Sequence, residues 1–140
     1  MDERRWRWVL AVLGGAHLVL AMWAVAGPRS FHAVLADFGP FDAHLIRDFA
    51  ACAATFGTGL LLALRRPPWR TPVLVVTAMW TGLHAVSHVV DIANAHPAVV
   101  GPLEATALAL LTVLLVALAR LSTRRGSHSP QAPADQVRGE

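Results

Sequence analysis

The stretch GLHAVSHVVD places His84, His88 and Asp91 at i, i+4 and i+7, one face of a helix. Imidazoles at i and i+4 can aim at one ion, the spacing that HExxH helices use. Here Ala, Val and Ser lie between them, so no general base sits in the gap. A carboxylate must come from another element, and Asp48 and Glu104 are available. His84, His88 and Asp48 are therefore a candidate Zn, Cu or Fe set. His17 and His84 are a second candidate, the axial pair of a bis-histidine haem. Gly14, Gly15 and Gly82 lie beside them, and Arg47 is placed to meet propionates. A third use needs no cofactor. A layer of His, Asp and Glu can bind a small solute or lipid headgroup, relay protons, or fix helix register. No catalytic residue is assigned, because the chain holds neither GxSxG nor HExxH.

The surroundings make these side chains unusual. The 140 residues are 55% hydrophobic and 15% charged, with a mean hydropathy of +0.49. Soluble domains carry about 25% charged residues, so this composition predicts a membrane protein. The net charge of +3 comes from arginine alone. These arginines sit mostly at the ends of apolar runs, a topology signal rather than a nucleic-acid patch. One cysteine, Cys52, excludes an intramolecular disulfide and a CxxC site.

A membrane-spanning helix needs about 20 mostly apolar residues. Four segments qualify, near residues 8–26, 43–64, 72–93 and 102–121. The fold predicted is all-α: a polytopic membrane protein, four transmembrane helices in an antiparallel bundle. Residues 1–7 form a basic lead, and the tail 122–140, rich in Ser and Pro, reads as disordered. Asp42 is a candidate N-cap for the second span. Thr71-Pro72 and Gly101-Pro102 read as starts of the third and fourth, and Asn94 with Pro97 as the end of the third. Between the first two spans, Ser30 is placed to cap a short surface helix. Phe31, Val34, Leu35 and Phe38 share its face as a partial lid. The first span has a rival reading as a signal peptide, with Arg4, Arg5 and Arg7 before it and Ala24-Val25-Ala26 after it. Its apolar run exceeds the usual length of about 7–15 residues, which favours a retained helix.

Arginine also orients the chain. Arg4, Arg5 and Arg7 precede the first span, Arg65, Arg66 and Arg70 fill the second connection, and Arg120, Arg124 and Arg125 follow the last. The positive-inside rule then predicts an inner-membrane protein with both termini cytoplasmic. Counting about 1.5 Å per residue from each midpoint puts Asp48, His88 and Glu104 about 10 Å to the outer side of the midplane. Arg47 and Asp91 fall slightly further out, His44 near the surface, and His17 and His84 close to the midplane. The expectation is an outer-half ligand pocket of His17, His44, Arg47, Asp48, His84, His88, Asp91 and Glu104. An Arg47–Asp91 or Arg47–Asp48 ion pair belongs to it.

HLIRDFAACAATFG (His44 to Gly57) followed by LHAVSHVVD resembles a group of small bacterial four-helix membrane proteins. Their pattern is H-x-x-R-D opening the second helix and H-x-x-x-H in the third, and they are similar in build to the DoxX-like superfamily. The likeness covers roughly residues 8–120 and carries over to His44, Arg47, Asp48, His84 and His88. It implies the four-helix fold and no particular activity. The cofactor stays open. The partners implied are the lipid bilayer and a membrane-protein partner or a second copy, with no nucleic acid.

Overall fold

A computed structural model describes residues 1–126. Among them there is no strand. The helices are α1 (Glu3–Ala26), α2 (Pro28–Leu35), α3 (Ala43–Arg65), α4 (Arg70–Val90) and α5 (Val100–Gly126). Four of these, all but α2, are long and apolar enough to cross a membrane. Only 22–28% of each span's apolar window is buried within the protein. Val12, Val19, Met22, Met79, Val86, Leu110 and Val113 all point outward and are more than half exposed. In water such surfaces would be an aggregation liability, whereas lipid solvates them. The chain is thus an all-α, multi-pass membrane bundle.

The helices pack as two antiparallel pairs. α1 lies along α3 and α4 along α5, and the pairs meet where α3 faces α4. Small residues set the first seam. A Cβ on Gly14 would stand 2.9 Å from the Gly57 carbonyl oxygen, and one on Gly57 would stand 2.9 Å from that of Gly14. Ala21 and Ala24 of α1 and Ala50 and Ala53 of α3 extend the contact. Close approach of this kind is what holds helices together in lipid, where burial in water supplies no drive.

The two ends of the bundle differ. The N-terminus, the α3–α4 connection and the end of α5 share one end, the arginine end. There Trp6, Leu10, Leu60, Leu74, Leu115 and Leu118 form one core across all four spans. Arg70, only 5% exposed, pairs with Glu3 through Nη1 and Nη2 and lies over the Trp6 ring at 5.4 Å. The other end carries the α1–α3 and α4–α5 connections. Its apolar cluster, Ala24, Phe31, Ile46 and Ala50, belongs to α1, α2 and α3 alone. That leaves α4 to meet α3 through other side chains at this loop end.

The caps follow local chemistry, with corrections to the expected boundaries. Asp42 caps α3 as predicted, accepting from the backbone N–H of His44 at 2.8 Å and of Leu45 at 3.3 Å. These bonds hold its carboxyl below the usual value of 3.8. The third span begins at Arg70, not at a Thr71 cap. A 3₁₀ turn over Pro67–Trp69 leads into it, and Pro72 falls inside the first turn. It ends at Val90, with Asp91 as cap and a 3₁₀ turn over Ile92–Asn94, rather than continuing to Ala93. α5 starts at Val100, so Gly101-Pro102 also lies inside the first turn. α5 continues past Leu121 to Gly126, correcting the expected end. The rest of the tail, with His128, lies outside the described residues. Ser30 does not cap α2, because Pro28 occupies N1 after Gly27. Ser30 Oγ instead donates to the Gly27 carbonyl at 2.8 Å and accepts from Trp23 Nε1 at 2.9 Å.

The crossing of α1 and α3 predicts a sharp contrast. Gly57→Leu forces the helices apart and should destabilise by about 1–3 kcal/mol, the range for overpacking. Gly15→Ala meets no atom within 4 Å and should be silent. Thermal unfolding in detergent checks both.

Candidate functional site

Three ionisable side chains line up where α4 meets α5 at the loop end. His88 Nδ1 lies 3.3 Å from Glu104 Oε2, with both side chains largely buried at 12% and 15% exposure. His88 Nε2 lies 3.3 Å from His84 Nε2. The result is a continuous row: carboxyl, imidazole, imidazole. The i, i+4 spacing on α4 brings the two rings together, and the antiparallel return of α5 brings Glu104 beside His88.

Aromatic rings enclose this row. His84 stacks on Trp80, centroids 4.9 Å apart, and Phe49 of α3 lies 6.0 Å away. Phe56 also reaches Trp80 at 5.3 Å, so α3 meets α4 largely through rings. Phe38 sets its edge against His88 at 4.7 Å. The loop that carries Phe38 is pinned from both sides. The His96 N–H donates to the Asp37 carbonyl at 2.9 Å, and His32 Nε2 meets the Gly39 carbonyl at 3.0 Å. Of the four residues expected to form a lid, Phe38 alone is shown against the row, and it lies in the loop after α2 rather than on the helix. The α2 helix itself buries Phe31 against Trp23 and Phe49.

The Glu104–His88 contact is close, yet it lacks the angle of a hydrogen bond. Glu104 Oε1, Glu104 Oε2 and His88 Nδ1 are buried without a hydrogen-bond partner among the described residues. Buried polar groups are nearly always satisfied, so orphans grouped in this way suit a water or a small polar ligand. Proton exchange is the chemistry the row can support. A carboxyl and two imidazoles can pass a proton along successive contacts near 3.3 Å, and each imidazole can donate from one nitrogen and accept at the other. Two surface recesses, of about 340 and 500 Å³, lie elsewhere, against α4–α5 and against α1 at the arginine end. Their linings are apolar faces and arginine stems, so the polar row is the better guide to a site.

Other expected members stand apart from the row. His17 is buried in the α1–α3 seam, and its Nδ1–H donates to the Leu13 carbonyl at 2.8 Å, one turn back on its own helix. Gly14 beside it serves helix contact, and that seam is closed to a macrocycle at this level. His84, the other expected haem ligand, is taken up by Trp80 and His88. Asp91 is exposed at the end of α4, where it accepts from Asn94 Nδ2 at 3.3 Å. Arg47, Asp48 and His44 face away from the bundle. Asp48 pairs with His44 at 3.6 Å, with side chains 63% and 82% exposed. Neither expected Arg47 ion pair forms among the described residues, and Asp48 does not reach His84 and His88. Among the described residues no three His, Cys, Asp or Glu side chains group to hold a metal ion. Cys52 is a half-buried free thiol.

Sequence reasoning named Phe38 but missed Phe49 and Trp80. Trp80 had a visible signal, since it stands four residues before His84 on the same face as His88.

A double-mutant cycle checks the Glu104–His88 contact. His88→Leu and Glu104→Leu should each destabilise by about 1–3 kcal/mol, because each leaves a buried polar partner behind. The double variant should be no worse than the worse single one, as read by unfolding in detergent. Compared with known proteins, the chain matches no family model, no curated protein and no solved structure.

Proposed function

We propose that this protein is a membrane-resident binding protein that holds a small protic or cationic solute between α4 and α5. The carrying observation is the group of orphaned atoms on Glu104 and His88, joined to His84 at 3.3 Å. Glu104 would accept from the solute, His88 would donate to it or accept from it, and His84 would extend the proton path toward mid-membrane. Phe38 would exclude water from above, and Trp80 and Phe49 would favour a flat or positively charged guest.

Orientation belongs to the same reading. Arg4, Arg5, Arg7, Arg65, Arg66, Arg120 and Arg124 gather at one end of the bundle and are exposed. Trp8 and Trp69 stand exposed among them, as interfacial tryptophans do. With that end cytoplasmic, both termini are inside, and the Glu104–His88–His84 row sits in the outer half of an inner membrane. The four-helix likeness to DoxX-like proteins is compatible with this arrangement and adds no activity. Service as an accessory subunit to another membrane protein is a compatible role.

One observation favours a metal as the guest. Two imidazole nitrogens on one tetrahedral ion, each about 2.05 Å from it, stand roughly 3.3 Å apart. That matches the His84–His88 separation. Glu104 beside His88 Nδ1 would then fix the tautomer that frees Nε2, with water completing the coordination.

A thermal-shift screen of small protic and cationic solutes, ZnCl₂ included, separates these readings in detergent-purified protein. Saturation at 100 times Kd stabilises by about 2.7 kcal/mol. The solute reading expects a compound that stabilises the wild type and not Glu104→Gln. The metal reading expects Zn²⁺ to stabilise the wild type and not His84→Ala/His88→Ala. Equal responses from all three proteins across the whole screen would overturn both.

A further inference from the structure

α3 turns a polar face out of the bundle. His44, Arg47, Asp48, Ala51, Thr55 and Thr58 are all exposed and recur at helical spacing. The opposite faces are taken: Ile46, Ala50, Ala53 and Gly57 are buried, and Phe49 and Phe56 reach Trp80 of α4. Asp48 is the sixth residue of a membrane-spanning helix, about 7.5 Å below its start. Charged side chains at such depth normally face protein rather than lipid. Here His44 covers Asp48 in part, at 3.6 Å, and Arg47 has no ion pair among the described residues.

The charges are self-complementary. Arg47 and Asp48 differ by about 1.5 Å in depth and are about 100° apart around the helix. They flank the line of Ala51, Thr55 and Thr58. A two-fold axis along the membrane normal brings equal depths of two copies together. Two α3 helices set face to face then place each Arg47 beside the other copy's Asp48, once on either side of the contact. Below the charges, Ala51, Thr55 and Thr58 are small enough for close approach. The Thr55 hydroxyl already donates to the Ala51 carbonyl at 2.8 Å, so it asks nothing of a partner. We infer that the protein is a parallel homodimer joined through this face of α3, with reciprocal Arg47–Asp48 pairs.

Full-length protein in liposomes tests this by two measurements. In a Cys52→Ser background, Thr55→Cys should form a disulfide-linked dimer on mild oxidation. Val113→Cys, exposed on α5 near the same depth, should not. Labelled subunits should show energy transfer for the wild type. Arg47→Asp or Asp48→Arg alone should weaken association roughly tenfold or more, because like charges then face each other. The double swap Arg47→Asp/Asp48→Arg should restore it. A monomeric wild type, equal cross-linking at both cysteine positions, or a double swap no better than its parents would overturn the dimer. If a charge variant does not fold, the cross-linking comparison decides alone.

Discussion

The bilayer cannot hydrogen-bond to a buried side chain, so polar groups in these helices must find partners in the protein or in what it binds. Much of the loop end follows from that constraint. Glu104, in the first two turns of α5, enters the bundle beside His88, and His88 in turn meets His84. The rings of Phe38, Phe49 and Trp80 fill the space around the row, and large rings keep α3 and α4 apart at this level. At the arginine end the same constraint is met by closure. Arg70 is matched by Glu3, and leucines from four helices fill the core. Among the described residues, buried polar atoms without partners occur at both ends, on Trp6 and Arg70 here and on Glu104 and His88 at the other, where they belong to two facing ionisable side chains.

Height along the bundle was legible in the sequence, and direction around the helix was not. Counting residues put Asp48, His88 and Glu104 in one layer, and His88 and Glu104 do meet. Asp48 turns the other way. Rise per residue sets depth, but which face looks inward depends on what packs there. The relevant signal was Ala50, Ala53 and Gly57 on α3, small residues at helical spacing that match Gly14 on α1. They mark the face that closes on α1 and so turn Arg47 and Asp48 outward. The longest and most apolar segments were the most legible, because four runs of lipid-spanning length have no other stable use. Their ends were less so. Pro72 and Pro102 are tolerated anywhere in a first turn, so a proline does not mark one starting residue.

Two polar features thus serve different purposes on neighbouring helices. The row on α4 and α5 faces inward under an aromatic cover and is suited to a guest. The Arg47–Asp48 face on α3 looks outward, has opposite charges at one depth, and is suited to a second copy. Their separation matters physically. A charge swap on α3 leaves the Glu104–His88–His84 contacts untouched, so binding and association can be varied independently.

The most direct test of the buried row is ¹⁵N solid-state NMR of histidine side chains in lipid bilayers. The account predicts a coupling between His84 Nε2 and His88 Nε2, and an Nδ1 signal of His88 that changes in Glu104→Gln while His17 does not. Independent His84 and His88 rings, both unmoved by Glu104→Gln, would contradict it.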